Sequence, residues 1–361
     1  MTFKDTLRRA VAAEQLHTAA ARAAIAQAAE ILRVGGTVAF PTETVYGLGA
    51  NALDAAAIAK IFAAKQRPAW DPLIVHVTDA AMLARVVAEV PPAAQRLMDA
   101  FWPGPLTLLL PRNASLPLEV TAGRELVGVR MPAHPVAQAL IAACDLPIAA
   151  PSANLFGHTS PTTAAHVLDD LDGRIDMVLD GGPTAHGVES TVLEVRNNGA
   201  RIYRPGAASI EALQALVGPV EMYLPQAATI TSSKSLPESL PSPGVGIRHY
   251  APRARLVLVD TAAMQQVEMK RAWVGAVQQM QNLNVCCGVL LPERWPVPEG
   301  FSGPRFDWGR WSNPEELAQR LYAGLRALDA MGATVIVCPV PAASGIGAAI
   351  RDRMFKAARE E

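Results

Sequence analysis

The sequence predicts an α/β protein in two parts: a larger domain with a twisted mixed sheet and flanking helices, and a smaller, Rossmann-like α/β domain at the C-terminus. Three observations carry this. Over residues 21–217, short apolar runs bounded by Gly and Pro alternate with helix-period segments, but not strictly, as a mixed sheet requires. Residues 218–252 are rich in Pro and Ser, hold few apolar runs and read as a linker. From residue 253 the alternation resumes with the strand–helix rhythm of a parallel sheet.

The elements follow in order. Residues 4–33 are rich in Ala, Leu, Arg and Gln and read as helix, with His17-Thr18 as the point where it could break; residues 1–20 are thus expected as a helical extension. Gly35-Gly36 ends it, and Thr37 to Phe40 is a strand closed by Pro41. Asp54 caps a helix to Ala64. Leu73 to Val77 is a strand, and Ala80 to Val90 a helix stopped by Pro91-Pro92. Further strands are expected at 106–110, 126–130, 147–150, 177–180 and 191–194, with helices at 135–143 and 162–168. Beyond the linker come strands at 256–259, 287–291 and 334–338 and helices at 265–279, 314–331 and 348–359.

Composition narrows the function classes. Half of the 361 residues are hydrophobic, enough for ordinary cores. A net charge of -1 argues against a chain that grips long nucleic acid electrostatically, so no stable nucleic-acid binding is expected. Cys144, Cys286, Cys287 and Cys338 form no CxxC pair, which disfavours structural zinc and fits reduced thiols in the cytoplasm. The N-terminus lacks a secretory pattern, and no apolar run approaches the ~18 residues that span a bilayer.

Several short motifs carry polar chemistry. Lys65-Gln66-Arg67 sets two cations beside a strand entry pinned by Pro68 and Pro72; Pro151-Ser152-Ala153-Asn154 sets a hydroxyl and an amide after the strand PIAA. Cations supply charge and Ser and Asn supply directional bonds, a combination that suits a polyphosphate. The plain alternatives are a solvated helix end and simple caps. In PTETVYGLGAN (41–51), Thr42, Thr44 and Tyr46 alternate, presenting hydroxyls, or they are ordinary threonines in a glycine turn. Arg130 ends the strand LVGVR, where open α/β sheets place ligands, or forms a surface ion pair. His76 lies near the basic pair, Ser160 in a turn, Glu189-Ser190-Thr191 at a strand start and Arg204 in YRPG. Gly345-Ile346-Gly347 imitates part of a dinucleotide fingerprint but lacks the following strand and acidic partner. His158, His166 and His186 have no metal-ligand spacing, and no GxSxG elbow appears.

Taken together, PTETVYGLGAN, KQRP…PLIVHV, FWPGPLTLLL, VGVRMP, PIAAPSAN, DGGP…GVESTV and YRPG resemble the YrdC-like family. The tail SPGVGIRHYAPRA with GIGAAIRDRMFKAA resembles its long, two-domain form. The resemblance implies a nucleotidyltransferase that joins L-threonine, bicarbonate and ATP into threonylcarbamoyl-AMP and pyrophosphate, for threonylcarbamoyladenosine at adenosine 37 of tRNA. Mg²⁺ is implied with ATP, through its phosphates, and downstream transfer machinery as partner. By motif position, the KxR and SxN signature falls on Lys65, Arg67, Ser152 and Asn154. Threonine contacts fall on Thr44, His76, Arg130, Ala150 and Ser190; ATP contacts fall on Arg67, Asp71, Ser152, Ser160, Arg204 and Tyr250, with His249 beside it. The linker is implied to fold over the cleft as a lid. Two positions depart from the family: Asp71 replaces a usual Asn, and Phe156 a usual small polar residue. A carboxylate near phosphates calls for Mg²⁺ or a Lys, or else faces the ribose or base. Phe156 is expected to pack against nucleotide or linker.

The rivals are an RNA-binding module of the same fold without catalysis, a hydrogenase-maturation carbamoyltransferase and a dihydroxybutanone-phosphate synthase. The first needs a basic concave face, the second acylphosphatase and cysteine zinc modules, and the third acidic metal ligands.

Overall fold

The computed structural model describes residues 5–224, 240–242, 249–262, 264–283 and 285–359. The chain divides into two compact units: Met1–Phe156, Pro161–Thr184 and Glu189–Gly246 form the first, and Gly157–Ser160, Ala185–Val188 and Ile247–Glu361 the second.

The first unit holds strands β1 (Leu7–Ala10), β2 (Val38–Pro41), β3 (Tyr46–Asn51), β4 (Ile74–His76), β5 (Leu106–Pro111), β6 (Leu126–Arg130), β7 (Ile148–Ala149), β8 (Met177–Asp180), β9 (Thr191–Arg196), β10 (Gly199–Arg204) and β11 (Val220–Met222). Their order is β1-β8-β2-β3-β7-β4-β6-β5-β9-β10-β11. Pairing is mixed: β4 runs parallel to β6 with His76 opposite Arg130, whereas β5 is antiparallel to β6 and β9 antiparallel to β10. The apolar runs that predicted the strands are buried: Phe40, Val75, Leu108, Val129 and Ile148 are all inaccessible. Helices Ala19–Arg33 and Pro135–Cys144 pack on one another. Gly49 is required by packing, since a Cβ there would lie 2.7 Å from the Phe40 ring.

Several expectations need correction. The helical extension over residues 1–20 is contradicted: residues 7–10 form an edge strand, and the helix begins at Ala19, capped by Thr18. Helix propensity is a weak prior, and here it yields to pairing with β8, an Arg8–Asp180 ion pair at 2.6 Å and burial of Val11. The helix from Ala80 stops at Ala84, because the chain turns so that the Ala88 N–H reaches the Pro111 carbonyl. Pro92 does not merely stop a helix; it starts one, Pro92–Phe101, at the position where a missing N–H costs nothing. The linker expected from residue 218 opens with β11, paired parallel to β10. Most of the expected lid, 225–239 and 243–248, lies outside the described residues.

The second unit holds β12 (Arg255–Asp260), β13 (Cys287–Pro292), β14 (Arg305–Gly309) and β15 (Val335–Val340) in the all-parallel order β12-β15-β13-β14. Helices Gln266–Asn282, Pro314–Ala330 and Gly347–Ala357 accompany it, as the rhythm predicted; β14 was not expected. Trp273, Val277, Val289 and Val337 build its core. Trp308 is fully buried and donates its indole N–H to the Leu317 carbonyl at 2.8 Å.

Candidate active site

The polar residues singled out in the sequence are, in the first unit, mostly buried. That is costly unless each charge is paired or hydrogen-bonded, so their partners define the site.

The loop between β2 and β3 carries Thr42, Glu43 and Thr44, all buried. Arg130, at the exit of β6, reaches this loop. Its Nη1 donates to Thr44 Oγ1 at 3.0 Å, and its Nη2 lies 3.1 Å from both Glu43 oxygens. Glu43 Oε2 also accepts from the Ala133 N–H at 3.0 Å. The Arg130 Nε–H has no hydrogen-bond partner among the described residues, and neither has Nδ1 of the buried His76 on the neighbouring strand. Burial, and then the Arg130 cation, hold the His76 imidazole well below its usual value, so it is neutral near pH 7. Ala150 follows β7 and donates its N–H to the Ile74 carbonyl at 2.9 Å.

Arg204, at the end of β10, is buried and donates from Nε and Nη2 to the Ser190 carbonyl at 3.1 and 3.0 Å. Its Nη2 also reaches Ser190 Oγ, which lies 2.7 Å from Thr107 Oγ1. The charge of Arg204 is felt by both Arg130 and Asp71, which ties this corner to the others.

Lys65 ends helix Ala55–Lys65, whose cap is Asp54 as expected. Its side chain is buried, and Nζ donates to the Ser152 and Asn154 carbonyls. Burial, and then the adjacent Arg67, push its ammonium well below the usual value, against the pull of Asp71. The lysine therefore shapes the Ser152–Asn154 turn. Gly47 pairs with Ser152 as an isolated bridge, which lays that turn beside β3. Arg67 Nη2 meets Asp71 Oδ2 at 2.9 Å, both buried, and the same guanidinium donates to the Asp71 and Pro72 carbonyls. Burial raises Asp71's pKa while Arg67, Lys65 and Arg204 oppose the rise. The partner of this unusual carboxylate is thus an Arg. Phe156 packs edge-on to Trp70 and lies under Arg67, 6.0 Å from its guanidinium carbon.

Thr44, His76, Arg130, Ala150 and Ser190, and Lys65, Arg67, Asp71, Ser152, Asn154 and Arg204, all fall in the first unit. Ser160 and Tyr250 group with the second. There Tyr250 is buried with φ of 65°, stacks on Tyr322 and lies under Arg353, whose guanidinium carbon is 5.0 Å from the ring. Among the described residues no group of three His, Cys, Asp or Glu side chains could hold a metal ion. Sequence reasoning missed Glu43 and Thr107. Glu43 stands in the middle of PTETVYG, and a carboxylate in a run that folds inward needs a cation, which was the available signal.

Residues 30–206 match the family described as "Telomere recombination", and residues 208–359 match "Threonylcarbamoyl-AMP synthase, C-terminal domain". The threonylcarbamoyl-AMP synthase of Bacillus subtilis is 42% identical over 337 residues, covering 92% of each chain. The chain belongs to the threonylcarbamoyl-AMP synthase family. The Pyrococcus abyssi synthase is 38% identical over 330 residues, 91% of this chain and 92% of that one. The crystal structure of P. abyssi Sua5 complexed with L-threonine superposes with a TM-score of 0.86 at 36% identity, covering 98% of both chains. The family has a YrdC-type domain and a C-terminal domain, and both expected α/β folds are present in this synthase-family chain.

Proposed function

We propose that this chain is an L-threonylcarbamoyladenylate synthase acting in the cytoplasm on the route to threonylcarbamoyladenosine in tRNA. The observation that carries the reading is its likeness to threonylcarbamoyl-AMP synthases over more than nine-tenths of both chains. The threonine amine attacks CO₂, which bicarbonate supplies by loss of hydroxide, and the nitrogen releases a proton to give the carbamate; the proton and hydroxide leave as water. A carbamate oxygen then attacks the α-phosphorus of ATP, the bond to the bridging oxygen breaks, and pyrophosphate leaves.

The geometry suits each part. The unpaired Nε–H of Arg130 and the neutral His76 offer a donor and an adaptable imidazole to an amino acid's carboxylate and polar groups. Thr44, Ser190 and the Ala150 backbone flank them in the same reading. Arg67, Arg204, Ser152 and Asn154 would meet the nucleotide, with Lys65 fixing the turn that presents the last two. Ser160 and Tyr250 remain proposed ATP contacts. Phosphoryl chemistry of this kind needs positioning and charge rather than a protein nucleophile. The Ser190 hydroxyl is bound by Thr107 and Arg204, neither of which is a base. Mg²⁺ would take its ligands chiefly from the ATP phosphates, with Asp71 the carboxylate nearest the basic pair; it would neutralise charge on the leaving pyrophosphate. Bicarbonate and the tRNA-transfer machinery complete the proposed partners.

Pyrophosphate release from ATP and Mg²⁺, with and without L-threonine and bicarbonate, tests this. Release that requires both co-substrates is expected. Release indifferent to threonine would overturn the reading and favour the binding module without catalysis.

A further inference from the structure

We infer that Glu43 is a positioning residue for the amino-acid site: it holds Arg130 by one edge so that the remaining donor faces the substrate carboxylate. The inference rests on the proposed reading in which Arg130 receives L-threonine.

Glu43 is buried and its two oxygens make three contacts, two with Arg130 Nη2 and one with the Ala133 N–H. Ala133 lies three residues beyond Arg130 on the same exit from β6. The carboxylate therefore staples the loop between β2 and β3 to both the side chain and the backbone of that exit. A guanidinium held at one point can pivot. Held at Nη2 by Glu43 and at Nη1 by Thr44, its plane is fixed. The donor that this clamp leaves over is the Nε–H, without partner among the described residues. A buried, unpaired N–H beside the unpaired Nδ1 of His76 is costly in the absence of a ligand and points to one. Glu43 also offsets the like charge of Arg204, which would otherwise bear on a buried Arg130 unopposed. A fixed, half-satisfied guanidinium is what a supporting carboxylate contributes to recognition.

The test is steady-state pyrophosphate release by Glu43→Gln, Glu43→Asp and Arg130→Lys beside the parent, varying threonine at saturating ATP and then the reverse. Gln keeps an acceptor but loses the charge; Asp keeps the charge but loses the reach. Both are expected to raise the threonine KM by about tenfold or more, with kcat and the ATP KM changed by less than about threefold. A general structural role would instead move both KM values and kcat together, and that outcome overturns the inference. So does a threonine KM within about threefold of the parent in either Glu43 variant, while Arg130→Lys raises it. If Arg130→Lys itself leaves the threonine KM unchanged, the assignment of Arg130 fails first. Should Glu43→Gln not fold, the Asp variant decides alone.

Discussion

The two sheets pack against different material, although helix Gly347–Ala357 of the second unit also buries Arg353 and Lys356. In the first, the sheet buries Glu43, Lys65, Arg67, Asp71, His76, Arg130 and Arg204. In the second, the sheet's core is aromatic and aliphatic, with Trp273, Trp295 and Trp311 in successive ring contact and Trp308 against Trp311. Buried apolar surface stabilises a fold, at roughly 25 cal/mol per Å². Buried charge does not do so on balance, since desolvation can exceed the attraction it enables. Under the proposed function, the contrast sets a polar cluster that serves chemistry at some cost in stability against tryptophans that contribute to stability.

The largest expected effects would break this contrast if they came out alike. Lys65→Met removes a buried ammonium and its two hydrogen bonds to the Ser152 and Asn154 carbonyls, the first of which still accepts from the Asn154 N–H. The released desolvation is several kcal/mol, and it is opposed by the loss of two hydrogen bonds from a charged donor, about 1.5–3 kcal/mol each, and of the attraction to Asp71, so stability should stay within about 1–2 kcal/mol of the parent. Activity should fall by about a hundredfold or more, because the turn that presents Ser152 and Asn154 loses its anchor. Trp308→Ala should instead cost about 3–5 kcal/mol of stability. Denaturant melts and pyrophosphate assays on both variants check this. A Lys65→Met protein as unstable as Trp308→Ala would mean that the lysine is a structural tie and the contrast is false.

The same contrast explains what could be read from the chain. Strands announced themselves where apolar residues sit between Gly and Pro, and Asp54 announced a helix start, because these signals are local. β1 stayed hidden: LRRA is a good helix sequence, and only β8, some 170 residues away in the chain, makes it a strand. β3 stayed hidden because its glycines serve close packing rather than strand propensity. Lys65, Arg67, Ser152 and Asn154 stand out in the sequence as residue types at fixed spacing, and the structure brings Lys65 to the Ser152–Asn154 turn. Glu43 and Thr107 do not stand out, since each acts through a partner more than 80 residues distant, Arg130 and Ser190. A positioning residue has no chemistry of its own to advertise.

A middle-sized effect sharpens the cost side. His76 has an ordinary value of 6.5, and in the fold burial and Arg130 hold it well below. As pH falls below 6.5 the unfolded chain takes up a proton that the folded chain refuses, so stability declines. The slope from this one group reaches up to about 1.4 kcal/mol per pH unit until the folded value is passed. Denaturant melts between about pH 7.5 and 5.5 should show the decline, and His76→Asn should flatten it. Equal slopes in the two proteins would show that the folded chain does not keep His76 neutral.

The smallest effect concerns Asp71. Its Oδ2 accepts from Arg67, while Oδ1 is buried without a partner among the described residues. Asn at this position keeps the acceptor for Arg67 and removes a carboxylate that burial already disfavours. The lost attraction and the recovered desolvation nearly cancel, so Asp71→Asn should move stability by no more than about 1 kcal/mol. The kinetic sign is more telling. Lys65, Arg67 and Arg204 all bear on Asp71, so its removal leaves their combined charge less offset. If that charge faces a polyphosphate, the ATP KM should fall by about two- to threefold, and the threonine KM should hold. An ATP KM that rises by more than about tenfold would give the carboxylate a direct part in holding the nucleotide or its cation. In that case the first unit's buried charges would include an acid as necessary as the bases.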